Sequence, residues 1–466
     1  MEKQIISHLS VSPKGILPQD GFAVKYVKSS LNMANIPHSG FANIKITYSA
    51  PCGSDGGPHG YYWGGRFHKD LFEEKQKLEE NLALLQTHGI GGDKKTLLKI
   101  LQIPNHEGSG VIVSVTPNSS DKPRKIAAFV PVFSKDKKSI TGLKYDVLEI
   151  DFQKIKKGDR VVIDASLRCD NHWQISKNGF ALECHRDIAG RHTRKRVPGH
   201  MELPGFSYHA PFGLPYPNHM LSPVPKTLNT WIAKDPKKRE SLLVAMEPLS
   251  CCIEAFHPVF MSRERVDRIA ILGDGPNAAL LALTSTTAFP NATIVILGRT
   301  DKKLTAIHAL NPGKIICLKE GKRDDQNGHE LLRKVITRMK KFDILIPTFE
   351  VPTLRDYGDV VEKSGRVIVW AAGQVGQKDP FKGVGNEKKL HHSYGGKNKM
   401  EISALLLCDG LAQTSSKRLE ALITYPYKRV SLNEAATHMQ EWLNNKGKYA
   451  VEMDGRKTSA KLLFTH

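Results

Sequence analysis

The feature that most constrains the fold is a regular alternation of short apolar runs and helix-compatible segments between residues 268 and 370. Strands that alternate with helices of this length predict a doubly wound parallel sheet, an α/β fold. The predicted strands are Arg268–Leu272, Thr293–Leu297, Ile315–Leu318, Phe342–Ile346 and Arg366–Trp370, and the predicted helices are Ala278–Ala288, Asp301–Leu310, Glu330–Lys340 and Leu354–Glu362.

The chain before residue 240 has a different pattern. Short β-rich runs at Ala42–Tyr48, Gly110–Val115 and Asp159–Ile163 are separated by Gly, Pro and Asn. This pattern predicts a compact β-barrel or sandwich with long loops. A last amphipathic helix, Leu432–Asn445, is expected to pack back on this part of the chain.

The two patterns predict two domains. The first spans residues 1–240 and is completed by 420–466, and the second spans 241–419. Two segments of the first domain, near 67–101 and 116–140, have the composition of insertions: one is charged with a helical period, the other polar.

A glycine-rich turn links the first predicted strand of the sheet domain to its first helix. The turn reads Gly273-Asp274-Gly275-Pro276-Asn277-Ala278 and fits the pattern G-x-G-x-x-G/A. In a dinucleotide site, the first glycine permits the tight turn, the second lets the backbone approach a pyrophosphate, and the small third residue allows close packing. Its position between strand and helix favours such a site over a purely structural glycine turn.

The end of the second strand indicates which cofactor is bound. NAD enzymes usually place an acidic side chain there, to bind the ribose 2′-hydroxyl. Here Gly298 takes that position, followed by Arg299 and Thr300. A guanidinium can bind a 2′-phosphate with two hydrogen bonds, so we expect NADP(H) to be preferred over NAD(H). The competing interpretation makes Asp301 the ribose ligand and leaves Arg299 as a surface residue.

Zinc-ligand residue types occur at three places upstream of the glycine turn. Cys52 follows a predicted strand, His106 and Glu107 precede another, and Glu247 lies shortly before the sheet domain. A thiolate, an imidazole and one or two carboxylates form the ligand set of a catalytic zinc with an open position. Taken singly, each residue could equally be a buried thiol, a core histidine or a helix-capping carboxylate.

Together, these motifs resemble the medium-chain dehydrogenase/reductase superfamily, and within it the zinc-dependent sorbitol (polyol) dehydrogenase-like branch. The similarity extends over most of the chain. The matching motifs are CGSD at 52–55, HEGSG at 106–110, KGDRV at 157–161, EPLSC at 247–251, GDGPNA at 273–278 and SGRVIV at 364–369.

The resemblance implies a GroES-like β-rich catalytic domain paired with a Rossmann domain, and one catalytic Zn²⁺. Cys52 and His106 would hold the zinc, and Glu107 and Glu247 would supply the remaining carboxylate, directly or through bound water. Ser54 would relay the proton of an alcohol to solvent, and Asp55 would orient a ligand or fix the loop. Loss of the metal is the alternative.

The chain departs from the family in two respects. The candidates for a second, structural zinc lack the regular four-cysteine spacing, so we expect that lobe to be zinc-free; they are Cys169, His172, Cys184 and His185. The segments 67–101 and 378–400 are long, which leaves the substrate open.

Composition limits the remaining functions. The odd count of seven cysteines disfavours a disulfide framework, and no apolar run approaches a membrane span, so a cytoplasmic enzyme is expected. The lysines behind the net charge of +21 are scattered, which favours a solvated basic surface over a nucleic-acid site. An anionic alcohol or carbonyl substrate is a further interpretation of the excess positive charge. By resemblance, a homodimer or homotetramer is expected. The alternatives are a zinc-free quinone or enoyl reductase and a nucleic-acid-binding protein on the same fold.

Overall fold

The structure is a computed structural model. It describes residues 3–13, 22–32, 41–52, 107–116, 123–163, 215–217, 221–262, 264–320, 325–348, 354–370, 389–392, 401–445, 449–453 and 456–465.

The strands of the described residues fall into a β-rich first part, a central run and a short terminal group. They are β1 (Lys3–Pro13), β2 (Phe22–Asn32), β3 (Phe41–Ala50), β4 (Glu107–Thr116), β5 (Arg124–Phe133), β6 (Ile140–Ile150), β7 (Arg160–Ile163), β8 (Pro215–Pro217), β9 (Leu221–Pro223), β10 (Arg268–Leu272), β11 (Thr293–Gly298), β12 (Ile315–Lys319), β13 (Phe342–Pro347), β14 (Val361–Val369), β15 (Lys389–His392), β16 (Lys428–Ser431), β17 (Tyr449–Met453), β18 (Arg456–Ala460) and β19 (Leu462–Thr465).

The helices lie almost entirely in the second half. They are α1 (Lys226–Ala233), α2 (Pro236–Arg239), α3 (Met246–Ala255), α4 (His257–Ser262), α5 (Pro276–Ala288), α6 (Asp301–His308), α7 (Asp325–Ile336), α8 (Glu401–Thr414), α9 (Ser416–Ile423) and α10 (Ala435–Asn444), with short 3-10 turns at Phe152–Lys154, Glu240–Ala245, Leu354–Val360 and Leu432–Glu434.

The second half of the chain forms a parallel sheet. Within the described residues it has six strands in the order β12-β11-β10-β13-β14-β15, and each neighbouring pair is parallel. This is the strand order of a doubly wound dinucleotide-binding fold, which reverses direction between β10 and β13. The predicted α/β fold class and each of the predicted strands in this region are confirmed.

Two predicted helices of this domain differ from the structure. The predicted helix Leu354–Glu362 is a 3-10 helix that ends at Val360, and Glu362 belongs to β14. Burial of Val361 and its pairing with Phe342 of β13 place it in the sheet core, which overrides its helical pattern.

The predicted helix Glu330–Lys340 runs instead as α7 over Asp325–Ile336. Its early start includes Gly328, which has low helix propensity. A Cβ at Gly328 would lie only 2.6 Å from an oxygen of Glu320, so close tertiary packing requires a glycine here.

The first half contributes a mainly antiparallel sheet. Among the described residues its order is β16-β19-β3-β4-β7-β9, with β8 also paired to β3. The sheet contains all three predicted β-runs of this half, and it is completed by β16 and β19 from the far end of the chain. The predicted return of the terminal segment to the first domain is thereby seen at β19, which pairs with β3. The exact domain boundaries stay predictions.

Part of the predicted insertion near 116–140 forms β5, which pairs in an antiparallel hairpin with β6, a strand that extends beyond the insertion to Ile150. The hairpin lies against helices of the parallel-sheet domain: the amide of Phe129 donates to the hydroxyl of Ser403 on α8 at 3.0 Å. The ring of Phe129 also contacts Phe260 of α4, with centroids 4.9 Å apart. The hairpin, which belongs to the first half of the chain, therefore packs on helices of the second half. The predicted insertion 67–101 lies outside the described residues.

One hydrophobic cluster contains residues of both sheets, and a separate cluster contains alternate residues of the parallel strands. Buried residues of the barrel-like sheet, such as Ile44 and Val161, belong to the same hydrophobic cluster as Ile269 of β10 and Leu281 of α5. Burial of this apolar surface is the main source of stability of such a fold.

One helical run among the described residues, Pro236–Ser262, is long and apolar enough to cross a membrane. Its most apolar window is 78% buried inside the protein, as is usual for the core helix of a folded domain.

Candidate functional site

The glycine turn lies between β10 and α5, as the sequence predicts. Gly273 has a φ of 120°, a conformation that favours glycine, and its amide donates to the carbonyl of Leu297 at 2.7 Å. Gly275 is the N-cap of α5 and Pro276 is its first residue. The small Ala278 is fully buried, which allows α5 to approach the sheet closely.

The space in front of this turn is open within the described structure. A Cβ built on Gly275 would meet no described atom within 4 Å. The backbone amides in the first turn of α5, beginning with that of Asn277, have no intrahelical acceptor and lie at the positive end of the helix dipole. This arrangement fits the pyrophosphate of a dinucleotide.

The end of β11 lies directly beside the turn. The carboxylate Oδ2 of Asp274 accepts hydrogen bonds from the backbone amides of Arg299 at 2.9 Å and Thr300 at 2.7 Å. The carbonyl of Asp274 accepts a 2.6 Å hydrogen bond from the hydroxyl of Tyr425. The Asp274 side chain thus links the turn after β10 to the end of β11.

The charged residues after β11 have different environments. The Arg299 side chain is exposed, whereas Lys303 is only 1% exposed and donates to the hydroxyl of Thr458 at 2.9 Å. Burial lowers the pKa of Lys303, an effect that the nearby Asp274 carboxylate partly offsets. Asp301, the alternative ribose ligand, pairs with Lys319.

A second cluster of polar groups lies where β4, β19 and α3 meet. Glu107, the first residue of β4, is fully buried and forms an ion pair with Lys461, which immediately precedes β19. Cys52 lies just past the end of β3 and is partly buried. The structure therefore brings a predicted zinc ligand, Glu107, beside a lysine.

Glu247 lies in the first turn of α3, where the helix dipole favours a carboxylate. It is 5% exposed, and its Oε1 accepts a hydrogen bond from the thiol of Cys251 at 3.7 Å. The sequence predicts Glu247 as a ligand, and the structure places its carboxylate inside the protein.

The electrostatics of Lys461 connect these groups. Burial lowers the pKa of Lys461, but the negative charges of Glu107, Cys52 and Glu247 outweigh it, and the pKa is raised above its ordinary value. The negative charges of these groups therefore stabilise the ammonium of Lys461. Burial raises the pKa of the neighbouring Tyr427 to about 12, so its hydroxyl stays protonated.

A cleft of about 460 Å³ borders this cluster. Its walls are mostly apolar and come from both parts of the molecule: Ala50 and Leu463 from the barrel side, Pro276 and Leu280 from α5. Lys461 contributes the charged group of the cleft lining.

Three described residues of this region carry donor atoms of the kinds that bind zinc. Cys52, Glu107 and Glu247 offer the sulfur and oxygen donors that zinc accepts. Among the described residues, however, no three His, Cys, Asp or Glu side chains form a metal-binding group. His106, Ser54 and Asp55 lie outside the described residues, as do Cys169, His172, Cys184 and His185.

Sequence reasoning missed two residues of this region. Asp274 is a variable position of the pattern G-x-G-x-x-G/A, so the motif itself does not predict a role for its carboxylate. Lys461 is one of 68 Lys and Arg residues in the chain, and nothing in its neighbours distinguishes it.

No known protein-family profile matches the chain. No curated protein matches its sequence either.

Solved structures are similar in fold over almost the whole length. The 2R,3R-butanediol dehydrogenase of Bacillus subtilis is 16% identical with a TM-score of 0.54, covering 99% of this chain and 100% of its own. An alcohol dehydrogenase of Escherichia coli in complex with NADH is 12% identical with a TM-score of 0.54, covering 99% of both chains. A protein of Sinorhizobium meliloti described as a zinc-binding dehydrogenase, bound to NADP, is 14% identical with a TM-score of 0.52 and 100% coverage of both.

The described structure thus confirms the resemblance seen in the motifs at the level of the fold. The chain has the α/β fold of these dehydrogenases, with a mainly antiparallel sheet and a parallel sheet.

Proposed function

We propose that this protein is a zinc-dependent, NAD(P)-linked oxidoreductase that interconverts an alcohol or polyol and its carbonyl partner. The observation that carries the proposal is the glycine turn, with open space at Gly275 in front of the N-terminus of α5. This is the geometry that a cofactor pyrophosphate needs. The similarity in fold to dehydrogenases crystallised with NADH or NADP supports it.

For the metal, we assign Cys52, His106 and Glu247 as ligands. Glu107 would act directly or through bound water. Its ion pair with Lys461 supports the indirect role, since the ammonium already neutralises this carboxylate. Zinc would supply Lewis acidity toward the substrate oxygen, and the nicotinamide would accept or deliver hydride.

The chain's own residues would position and protonate the substrate. Ser54 would pass the alcohol proton to solvent, and Asp55 would hold the loop that carries it. The apolar walls of the cleft beside Lys461 would exclude water from the reacting atoms.

The proposal covers both NAD(H) and NADP(H): the preference for NADP(H) expected from the sequence would depend on Arg299, with Gly298 and Thr300 forming the surrounding backbone. Lys303, which the sequence places nearby, is buried and bonded to Thr458. The substrate is proposed to be anionic, such as a phosphorylated sugar derivative, because the chain carries a net charge of +21. A cytoplasmic homodimer or homotetramer is proposed by family resemblance alone.

The test is zinc content and cofactor binding of the purified protein and of Cys52→Ser. We expect about one zinc per chain in the parent protein and a strong loss in the variant, because a thiolate ligand is removed. Cys317→Ser is the matched control: this partly buried thiol donates to the carbonyl of Leu304 and should not affect zinc.

Equal zinc in Cys52→Ser and the parent protein would contradict the assignment of Cys52. A protein that binds NADH or NADPH but no zinc would be the quinone or enoyl reductase type. Binding of neither cofactor would end the dehydrogenase proposal.

A further inference from the structure

Position 298 lacks the acidic side chain that usually binds the cofactor ribose, but the space for that side chain is filled. A Cβ built on Gly298 would lie 2.6 Å from the Cβ of Asp274 and 3.1 Å from its Cγ. The side chain of Asp274, from the turn after β10, therefore occupies the place that an acid at the end of β11 would take.

The carboxylate of Asp274 is fixed in this place. Its Oδ2 accepts the amides of both Arg299 and Thr300, and Tyr425 holds its backbone carbonyl. A charged acceptor with two backbone donors forms strong and well-oriented hydrogen bonds. The orientation of the carboxylate is thus determined before any ligand binds.

We propose that Asp274 is the residue that binds the 2′-hydroxyl of the cofactor ribose, replacing the carboxylate that Gly298 cannot supply. Its Oδ1 would accept a hydrogen bond from a free 2′-hydroxyl, which favours NAD(H). This inference rests on the proposed function, because it requires that the glycine turn binds a dinucleotide.

The same arrangement opposes a 2′-phosphate in two ways. The carboxylate repels the phosphate charge at short range. It also occupies the amides of Arg299 and Thr300, which would otherwise be donors for phosphate oxygens. Of the nearby cations, Lys303 is buried and bonded to Thr458, and Lys319 pairs with Asp301. The side chains of Arg299 and Lys302 are exposed, and their attraction for a 2′-phosphate is weakened by solvent, so the fixed Asp274 carboxylate reverses the preference for NADP(H) expected from the sequence.

The experiment measures the dissociation constants of NADH and NADPH for the full chain, for Asp274→Asn and for Asp301→Asn. Asparagine keeps the shape and one acceptor oxygen but removes the charge. We expect the ratio of the NADPH to the NADH constant to exceed one in the parent protein and to fall about tenfold in Asp274→Asn. Asp301→Asn is the matched control, since its carboxylate is engaged by Lys319, and its ratio should stay within about twofold.

A second measurement compares two nucleotide fragments of the cofactors. In the parent protein, adenosine 2′,5′-bisphosphate should compete for the site less well than 5′-AMP, which differs only by lacking the 2′-phosphate. Retained binding of 5′-AMP by Asp274→Asn would show that the variant is folded.

The outcomes separate the two proposals. An unchanged ratio in Asp274→Asn, or an equal fall in Asp301→Asn, overturns the role of Asp274 while cofactor binding stands. Stronger competition by the bisphosphate overturns it as well. Failure of the parent protein to bind either cofactor or 5′-AMP overturns the proposed function itself.

Discussion

At the scale of single residues, the candidate site depends on a few buried charges that are held by partners far away in sequence. Glu107 and Lys461 are separated by 354 residues, yet they pair inside the protein. A buried charge is tolerated only when a partner or hydrogen bonds compensate for the water it has lost. The pair therefore fixes the position of Glu107 beside the proposed zinc ligands.

Removal of this lysine should destabilise the protein. In Lys461→Met the buried Glu107 carboxylate loses its cationic partner, and we expect the free energy of unfolding to fall by about 3 kcal/mol in urea titrations. Lys461→Arg is the control and should lose much less, because the charge is kept. A double variant, Glu107→Gln with Lys461→Met, should recover part of the loss; no recovery would contradict the pairing.

At the scale of structural elements, the hairpin β5–β6 packs closely against α8. Its residues Pro131, Phe133 and Ile140 surround Gly410 of α8. A Cβ at Gly410 would lie 3.0 Å from Pro131, 3.1 Å from Ile140 and 3.3 Å from Phe133. The absence of a side chain at this helical position allows the hairpin to approach the helix.

A bulky residue at this contact should push the hairpin away. We expect Gly410→Leu to lower the free energy of unfolding by about 2 kcal/mol, because overpacking costs more than the gain in helix propensity. Gln413→Leu, at an exposed position of the same helix, is the control and should change stability by less than about 0.5 kcal/mol. A stabilised Gly410→Leu would show that the contact is loose. Urea titration of the three proteins decides between these results.

The sequence predicts the parallel sheet well because buried strands such as β10 are apolar in every position after the first, and the glycine turn marks where the first helix begins. It predicted the helix Leu354–Glu362 wrongly, since pairing of Val361 with Phe342 is a tertiary contact that local periodicity does not contain. The ion pair of Glu107 and the position of Asp274 were missed for the same reason. The zinc ligands and the roles of Ser54 and Asp55 stay predictions.

At the scale of the whole molecule, residues of both sheets belong to one hydrophobic cluster, and the hairpin from the first half packs on helices of the second. Residues of the barrel-like sheet and of the Rossmann sheet belong to that single cluster. Such a continuous core couples the unfolding of the two parts, in contrast to domains that meet only through a small polar interface.

We therefore expect a single cooperative transition in calorimetry of the full chain. NADH at a concentration about 100 times its dissociation constant should raise the free energy of unfolding of the whole chain by about 2.7 kcal/mol. Binding to the native state stabilises every part that unfolds together with the site. Two separate transitions, of which NADH shifts only one, would contradict the shared core.

The position of β19 has a consequence for how the protein is made. The strand that carries Lys461 to Glu107 and pairs with β3 is translated only after the complete parallel sheet. At ribosomal rates of about 5 to 20 residues per second, the 354 residues between the two partners take roughly 20 to 70 seconds to synthesise. During that interval the nascent barrel lacks its closing strand, and the Rossmann part can fold first. Until β19 is synthesised, the new polypeptide exposes an unpaired β-edge that can associate with other chains. Chaperone protection is most useful during this interval.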